Sequence, residues 1–177
     1  MKLFKLFRYK IEEKRLKAVR EDGYAIKHIY KPSEAVQLAA VKQTGFAIQF
    51  IKNPSEELQL EAVRQNSYSI QFIKNPSEEL QLEAVKRNGW AIAYIHNPSE
   101  ELQLEAVKNR GISIHDIHNP TEKVIRYVLD NYFYDAEVMD SLLTVIGEEG
   151  YNKLSYEDKL RIELLDKEEC YEDYYDE

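Results

Sequence analysis

Five prolines, Pro32, Pro54, Pro76, Pro98 and Pro120, divide the chain into steps of 22 residues. A fixed period of this length is the mark of stacked supersecondary units, none of which can bury its own apolar face alone. Other residues keep the same register. Ala18, Ala40, Ala62, Ala84 and Ala106 form one column, and Val19, Val41, Val63, Val85 and Val107 the next. Ile26, Ile48, Ile70, Ile92 and Ile114 form a third; Ile29, Ile51, Ile73, Ile95 and Ile117 a fourth; Leu16, Leu38, Leu60, Leu82 and Leu104 a fifth. Gly23, Gly45, Gly89 and Gly111 share a position at which Ser67 is the exception, and Tyr24, Phe46, Tyr68, Trp90 and Ile112 follow them.

The unit from Asn75 to His96 shows what each copy can form. Asn75 is a candidate helix cap, Pro76 suits the first helical position, and Glu78 then falls third. Leu80 with Ala84, and Leu82 with Val85, are spaced to meet on one side of a helix. Lys86 and Arg87 oppose the negative end of that helix. Gly89 is placed for a left-handed residue that stops it. A shorter second helix is expected from Trp90 to Ile95, with Ile92 and Ile95 on one side. Helices this short are marginal alone in water, so stacking must supply the core. The expected fold class is all-α: an α-solenoid of two-helix, 22-residue repeats with helical N- and C-terminal caps.

The string Ala-Val-x-x-x-Gly-aromatic-Ala-Ile-x-x-Ile, read from Ala84 to Ile95, and Asn-Pro-Ser-Glu-Glu, read from Asn75 to Glu79, together resemble a family of short helical repeats. That family occurs in phage, large-virus and bacterial proteins, and no activity is assigned to it. The unit is also similar in size and helical make-up to leucine-rich variant repeats. The resemblance spans about residues 15–125 and departs from the pattern at Ser67 and Ile112. It implies a helical-repeat architecture and, through the phage members, a virus-encoded inhibitor of a bacterial defence complex as one function, acting by steric block or acidic mimicry of nucleic acid.

Residues 1–22 read as an N-terminal capping helix leading into the first repeat, with Leu3, Phe4, Leu6, Phe7, Ile11, Leu16 and Val19 as its apolar stripe. A basic membrane anchor is the competing reading, because Lys2, Lys5, Arg8 and Lys10 accompany those residues; the cap is preferred. Tandem repeats occupy residues 23–118, and residues 119–170 a degenerate repeat and C-terminal helical cap, followed by an acidic tail over 171–177. In the degenerate repeat Arg126 stands where the column has leucine. Glu137 to Ile146 and Ser155 to Asp166 are expected helices, the first ending near Gly147 or Gly150 and the second capped by Ser155.

Charge is distributed unevenly. The chain carries 24 basic and 32 acidic residues, which disfavours general affinity for nucleic acid or anionic membrane. Residues 1–30 nevertheless hold 9 basic and 4 acidic groups, while residues 119–177 hold 6 and 17. End-to-end asymmetry of this kind offers a route to homo-oligomers. One cysteine, Cys170, excludes an internal disulfide and favours a reducing compartment, the cytoplasm of a bacterium or an infected host.

Catalytic chemistry is hard to find. His115 and His118 are spaced to share a metal on a helix, but no further ligand pattern accompanies them. Paired glutamates such as Glu56 and Glu57 diverge on a helix. Acidic neighbours raise the pKa of Cys170 and blunt it. Neither catalysis, nor a cofactor, nor a metal is expected. The function expected is a protein-binding scaffold whose varying surface columns carry the contacts: Gln49, Gln71 and His115 in one, Phe50, Phe72, Tyr94 and Asp116 in the next. The Phe50, Phe72, Tyr94 column is either core or a semi-exposed contact ridge, with core or partial burial preferred. Glu168, Glu169, Glu172, Asp173, Asp176 and Glu177 form a candidate acidic surface. Nucleic-acid binding along a basic ridge of Lys42, Arg64, Lys86 and Lys108 at the ends of the first helices, with Lys52 and Lys74 after the second helices, and the N-terminus is the second alternative.

Overall fold

A computed structural model describes residues 2–163, with side chains from residue 7 onward. The acidic tail and Cys170 lie outside the described residues. The chain packs as two compact units, Met1–Asn97 and Pro98–Glu177, and all regular structure among the described residues is helical. No helix among them is long and apolar enough to cross a membrane.

The first unit begins with α1 (Lys2–Glu21), followed by α2 (Glu34–Gln43), α3 (Glu56–Gln65) and α4 (Glu78–Arg87). A six-residue 3-10 helix follows each: η1 (Gly23–His28), η2 (Gly45–Phe50), η3 (Ser67–Phe72) and η4 (Gly89–Tyr94). Each α-helix packs on the next, and the 3-10 helices stack on one another alongside them. The second helix of each repeat is therefore a tighter coil than an α-helix and starts at the glycine position.

The Asn-Pro-Ser corner works differently from the expectation. Asn75 is not the cap. It takes the left-handed conformation, φ 52°, as do Asn53 and Asn97 at φ 51° and Lys31 at φ 47°. Asparagine tolerates that region better than other residues bearing a Cβ. The cap is the serine two positions on: the Ser77 hydroxyl accepts the Leu80 N–H at 3.3 Å, and Ser33 and Ser55 do the same for Val36 and Leu58. Glu78 and Glu79 then occupy the first two helical positions, where carboxylates oppose the positive helix end. A second tie closes the corner. The carboxamides of Gln37, Gln59 and Gln81 donate to the carbonyls of Pro32, Pro54 and Pro76 at 2.9–3.0 Å.

The glycine column is not left-handed either. Each α-helix stops because Thr44, Asn66 or Asn88 turns to extended backbone while still donating its N–H to Ala40, Ala62 or Ala84. Asn66 and Asn88 then cap the 3-10 helix that follows, as Asp22 does for η1. Glycine is needed for space. A Cβ on Gly23 would lie 2.6 Å from the Ala40 carbonyl oxygen, and one on Gly45 would lie 2.4 Å from that of Ala62. The starts of η1 and η2 thus press on the backbone of α2 and α3.

The core lies between the two helix rows. Ile26, Ile48, Ile70 and Ile92, with the Ala40, Ala62, Ala84 and Val41, Val63, Val85 columns, are fully buried or nearly so. Each such isoleucine contributes about 1.5–3 kcal/mol of burial. Leu38, Leu60 and Leu82 are only half-buried, and Val36, Leu58 and Leu80 supply the inward leucine-type column instead. Along α1, Val19 is buried and Ile11 and Leu16 half-buried, while Phe7 is 63% exposed. The reason is length: α1 has 20 residues against ten in α2, so its first half outruns its neighbour. Glu12 bonds the Ser33 hydroxyl, and Arg15 reaches the Tyr30 carbonyl, fastening the second half.

The second unit contains α5 (Glu100–Asn109), η5 (Gly111–Asp116), α6 (Glu122–Asn131) and α7 (Ala136–Lys153), with residues 156–163 also helical. The repeat ends where Tyr132 leaves the template. Its ring sits where a Cβ on Gly111 would fall at 2.8 Å, and its hydroxyl donates to the Val107 carbonyl at 2.9 Å. As expected, the helix that opens α7 is interrupted at Gly147, whose φ of 59° and ψ of −171° are non-helical and nearly confined to glycine; a second helical stretch continues beyond it to Lys153. Arg126, the break in the leucine column, forms a two-pronged ion pair with Asp158 at 3.0 and 2.9 Å. Asp158 in turn bonds the Ser155 cap, which starts the expected helix. That helix is described as far as residue 163.

Two outcomes follow from this packing. The Ser69 hydroxyl is fully buried without a hydrogen-bond partner, in a column where Ala47 and Ala91 show that a methyl group fits. An unpaired buried hydroxyl costs about 1–3 kcal/mol, so Ser69→Ala raises the melting temperature; a fall would show that the hydroxyl is bonded. The Arg126 hydrogen bonds hold the Asp158 carboxyl below its usual value of 3.8. A depressed carboxyl contributes stability above its unfolded pKa and loses it as pH falls through the folded one. The second unit therefore loosens below about pH 4, and Asp158→Asn removes that acid dependence while lowering stability at neutral pH by about 1.5–3 kcal/mol. Melts of both proteins across this pH range read the difference.

Candidate protein-binding surface

The 3-10 helices place two aromatic columns on the surface of the first unit. In each helix the second residue (Tyr24, Phe46, Tyr68, Trp90) and, from η2 onward, the last (Phe50, Phe72, Tyr94) are aromatic. The rings pair diagonally from one repeat to the next. Tyr24 meets Phe50 at 6.0 Å between centroids, Phe46 meets Phe72 at 5.8 Å, and Tyr68 meets Tyr94 at 5.8 Å, all edge to face. This is the geometry aromatic quadrupoles prefer.

The rings are neither core nor free. Tyr24, Phe72, Trp90, Phe50 and Tyr94 are between 36% and 43% exposed, and Phe46 and Tyr68 are half-buried. Gln49 and Gln71 sit beside them, exposed. Their carboxamides turn back to the Phe46 and Tyr68 carbonyls at 3.0 and 2.9 Å, so they brace the band at rest. The result is a row of ring edges and faces held in place by one another.

The electrostatics of the band follow the charge layout read from the sequence, with Lys52 and Lys74 after the second helices and the glutamates on the first. Residues 23–33, 45–55, 67–77 and 89–97, the 3-10 helices and their corners, contain no aspartate or glutamate. They carry Lys27, Lys31, Lys52 and Lys74, with His28 and His96, all exposed. The acidic residues of this unit lie on the α-helices and at Asp22. The first unit has 16 basic and 11 acidic residues, the second 8 and 21.

A shallow groove of about 650 Å³ lies at the junction where Ser67 replaces glycine, lined by Arg64, Tyr68, Lys86 and Arg87 among others. Arg64 and Arg87 both reach Glu83, at 3.8 and 3.7 Å. The expected lysine and arginine ladder thus stands at the helix ends, partly paired with glutamate.

The other predicted site residues fall elsewhere. His115 and Asp116 end η5 in the second unit, where His115 Nδ1 lies 3.3 Å from Asp116 Oδ1. No group of three or more histidine, cysteine or acidic residues among the described residues is arranged to hold a metal ion. Glu168, Glu169, Glu172, Asp173, Asp176 and Glu177 lie outside the described residues.

Compared with known proteins, the chain matches no family model, no curated protein and no solved structure. Its function is therefore read from the chemistry of this surface.

The ring pairing is open to direct measurement. A double-mutant cycle with Phe46→Leu and Phe72→Leu yields a coupling of about 0.5–1.5 kcal/mol in unfolding experiments. Additive losses would show that each ring contributes through its own burial alone.

Proposed function

We propose that the first unit is a short α-solenoid and that the chain is a non-catalytic scaffold which binds a protein partner along its aromatic band. The observation that carries this reading is the band itself: consecutive repeats each present partly exposed, mutually braced rings in a strip free of acidic residues. Contiguous exposed apolar surface of this kind marks interaction sites. Aromatic side chains dominate the energetics of such contacts, and rings already held in position lose little entropy on binding. The repeat architecture supports the same reading, since it presents one contact type several times along one surface.

A basic strip with exposed rings also favours a second reading, binding of single-stranded nucleic acid. The edge-to-face pairing weighs against it, because each ring presents part of its stacking surface to a neighbour.

One set of variants separates these readings. The triple variant Phe50→Ser, Phe72→Ser, Tyr94→Ser keeps its helical circular dichroism and no longer retains the proteins that the wild type captures from a bacterial lysate. Glu56→Lys with Glu78→Lys, on the α-helices, leaves that set unchanged. Equal capture by wild type and triple variant would sink the proposal. A gel shift of a single-stranded oligonucleotide at low salt, where phosphate contacts are strongest, would replace it with the second reading.

A further inference from the structure

We propose that the groove over Ser67 is a binding site for a phosphate monoester carried on a protein segment, held by Arg64, Lys86 and Arg87 together with the Ser67 hydroxyl. The proposal rests on the scaffold reading and names a chemical group that the partner presents. The groove lies wholly within the first unit.

In a tandem array, departures from the pattern mark positions with duties beyond the fold, and two of them meet here. The first is Ser67. Its counterparts Gly23 and Gly45 are glycine, and a Cβ on either would collide with the next α-helix, yet position 67 carries a side chain. That residue is only 8% exposed and lines the groove. Its hydroxyl makes no hydrogen bond among the described residues. A hydroxyl held this way gives the fold nothing in return for the space it takes.

The second departure is Arg87. Its counterpart Gln43 covers the glycine of its own junction by accepting the Gly23 N–H at 2.8 Å. A guanidinium has no acceptor to offer, and Arg87 turns instead to Glu83, at 3.7 Å. Arg64 approaches the same carboxylate at 3.8 Å. Both distances exceed a hydrogen bond, so the two guanidiniums keep their donors for a ligand. Lys86 completes the lining. Helix ends alone do not call for so many cations: α2 and α3 each have one basic residue in the last turn, whereas α4 has both Lys86 and Arg87.

Set against Glu83, the three cations leave a surplus of positive charge. A phosphate monoester matches it, with a charge of about −1.5 to −2 at neutral pH and three acceptor oxygens. Guanidinium forks pair with such oxygens two at a time, and the serine hydroxyl donates to one more. Tyr68 also lines the groove and stands edge to face with Tyr94 of the band. Residues flanking the phosphate therefore meet the rings. A nucleic-acid strand needs cationic sites at successive junctions, and the preceding one has Gly23 and Gln43 where this one has Ser67 and Arg87.

Titration of the full-length, isotope-labelled protein with a short peptide containing phosphoserine followed by phenylalanine tests the site. The backbone amides of Ser67, Tyr68 and Asn88 shift, and the unphosphorylated peptide leaves them in place. Arg87→Gln, which restores the residue type of the column, weakens binding about tenfold, and Ser67→Gly weakens it about threefold. Glu83→Gln removes the competing carboxylate and tightens binding, while Lys42→Gln, at the preceding junction, leaves it unchanged. Amides outside the groove keep their positions in every variant, which shows that the fold is retained. The proposal is overturned by equal binding of the two peptides, by no shift with either, or by an Arg87→Gln protein that binds as well as the wild type. Inorganic phosphate binding as tightly as the phosphopeptide would also overturn it, by showing a site for free anions. So would tighter binding of a single-stranded oligothymidylate. Failure here is separate from failure of the scaffold reading, because the ring-dependent lysate capture does not require this groove.

Discussion

The spacing of the first unit is set where a residue without a side chain meets a backbone carbonyl. Gly23 and Gly45 lie so close to the oxygens of Ala40 and Ala62 that a single added carbon would collide with them. That approach is open because glycine, at the start of each of these two 3-10 helices, has no Cβ to meet the carbonyl. With the spacing set, Ile48 and Ile70 close the space between the rows, and the rings of neighbouring repeats come within 6.0 Å of one another. The aromatic band is thus a by-product of core packing as much as a feature of the surface.

The period of 22 made the succession of helices legible, and the apolar columns identified most of the core. What the period could not show was the division of labour within the corner. Asparagine, proline, serine and glutamate all belong to the vocabulary of helix starts, and composition alone did not say which of them caps. The structure assigns the left-handed turn to Asn75 and the cap to Ser77, because only asparagine among the two adopts positive φ here. Glycine was ambiguous for the same reason: it serves both left-handed turns and close approach, and the second applies at Gly23 and Gly45. The ring column is semi-exposed, one of the two expected alternatives, because neighbouring rings shelter each other. Arg126 was visible as an exception but its partner, 32 residues on, was not. Pairings across that distance leave no local pattern to read.

The division of charge follows the division of structure. Glutamates gather on the α-helices, where the first turns oppose the helix dipole, and the 3-10 row is left without them. A chain that is acidic as a whole thereby displays a cationic strip. Net charge describes the chain as a whole, while the 3-10 row of the first unit carries a charge of its own, of opposite sign.

The left-handed asparagines have a further consequence for how the molecule ages. Asparagine in an open turn usually deamidates when the next residue's backbone nitrogen, having lost its proton, closes a ring on the side-chain carbonyl. Asn53, Asn75 and Asn97 stand at exposed corners with positive φ, where that reaction would be expected to concentrate. Each is followed by proline, whose nitrogen carries no proton to lose. The residue that ends one repeat and begins the next is therefore shielded, by its neighbour, from the slow chemistry that erodes such turns.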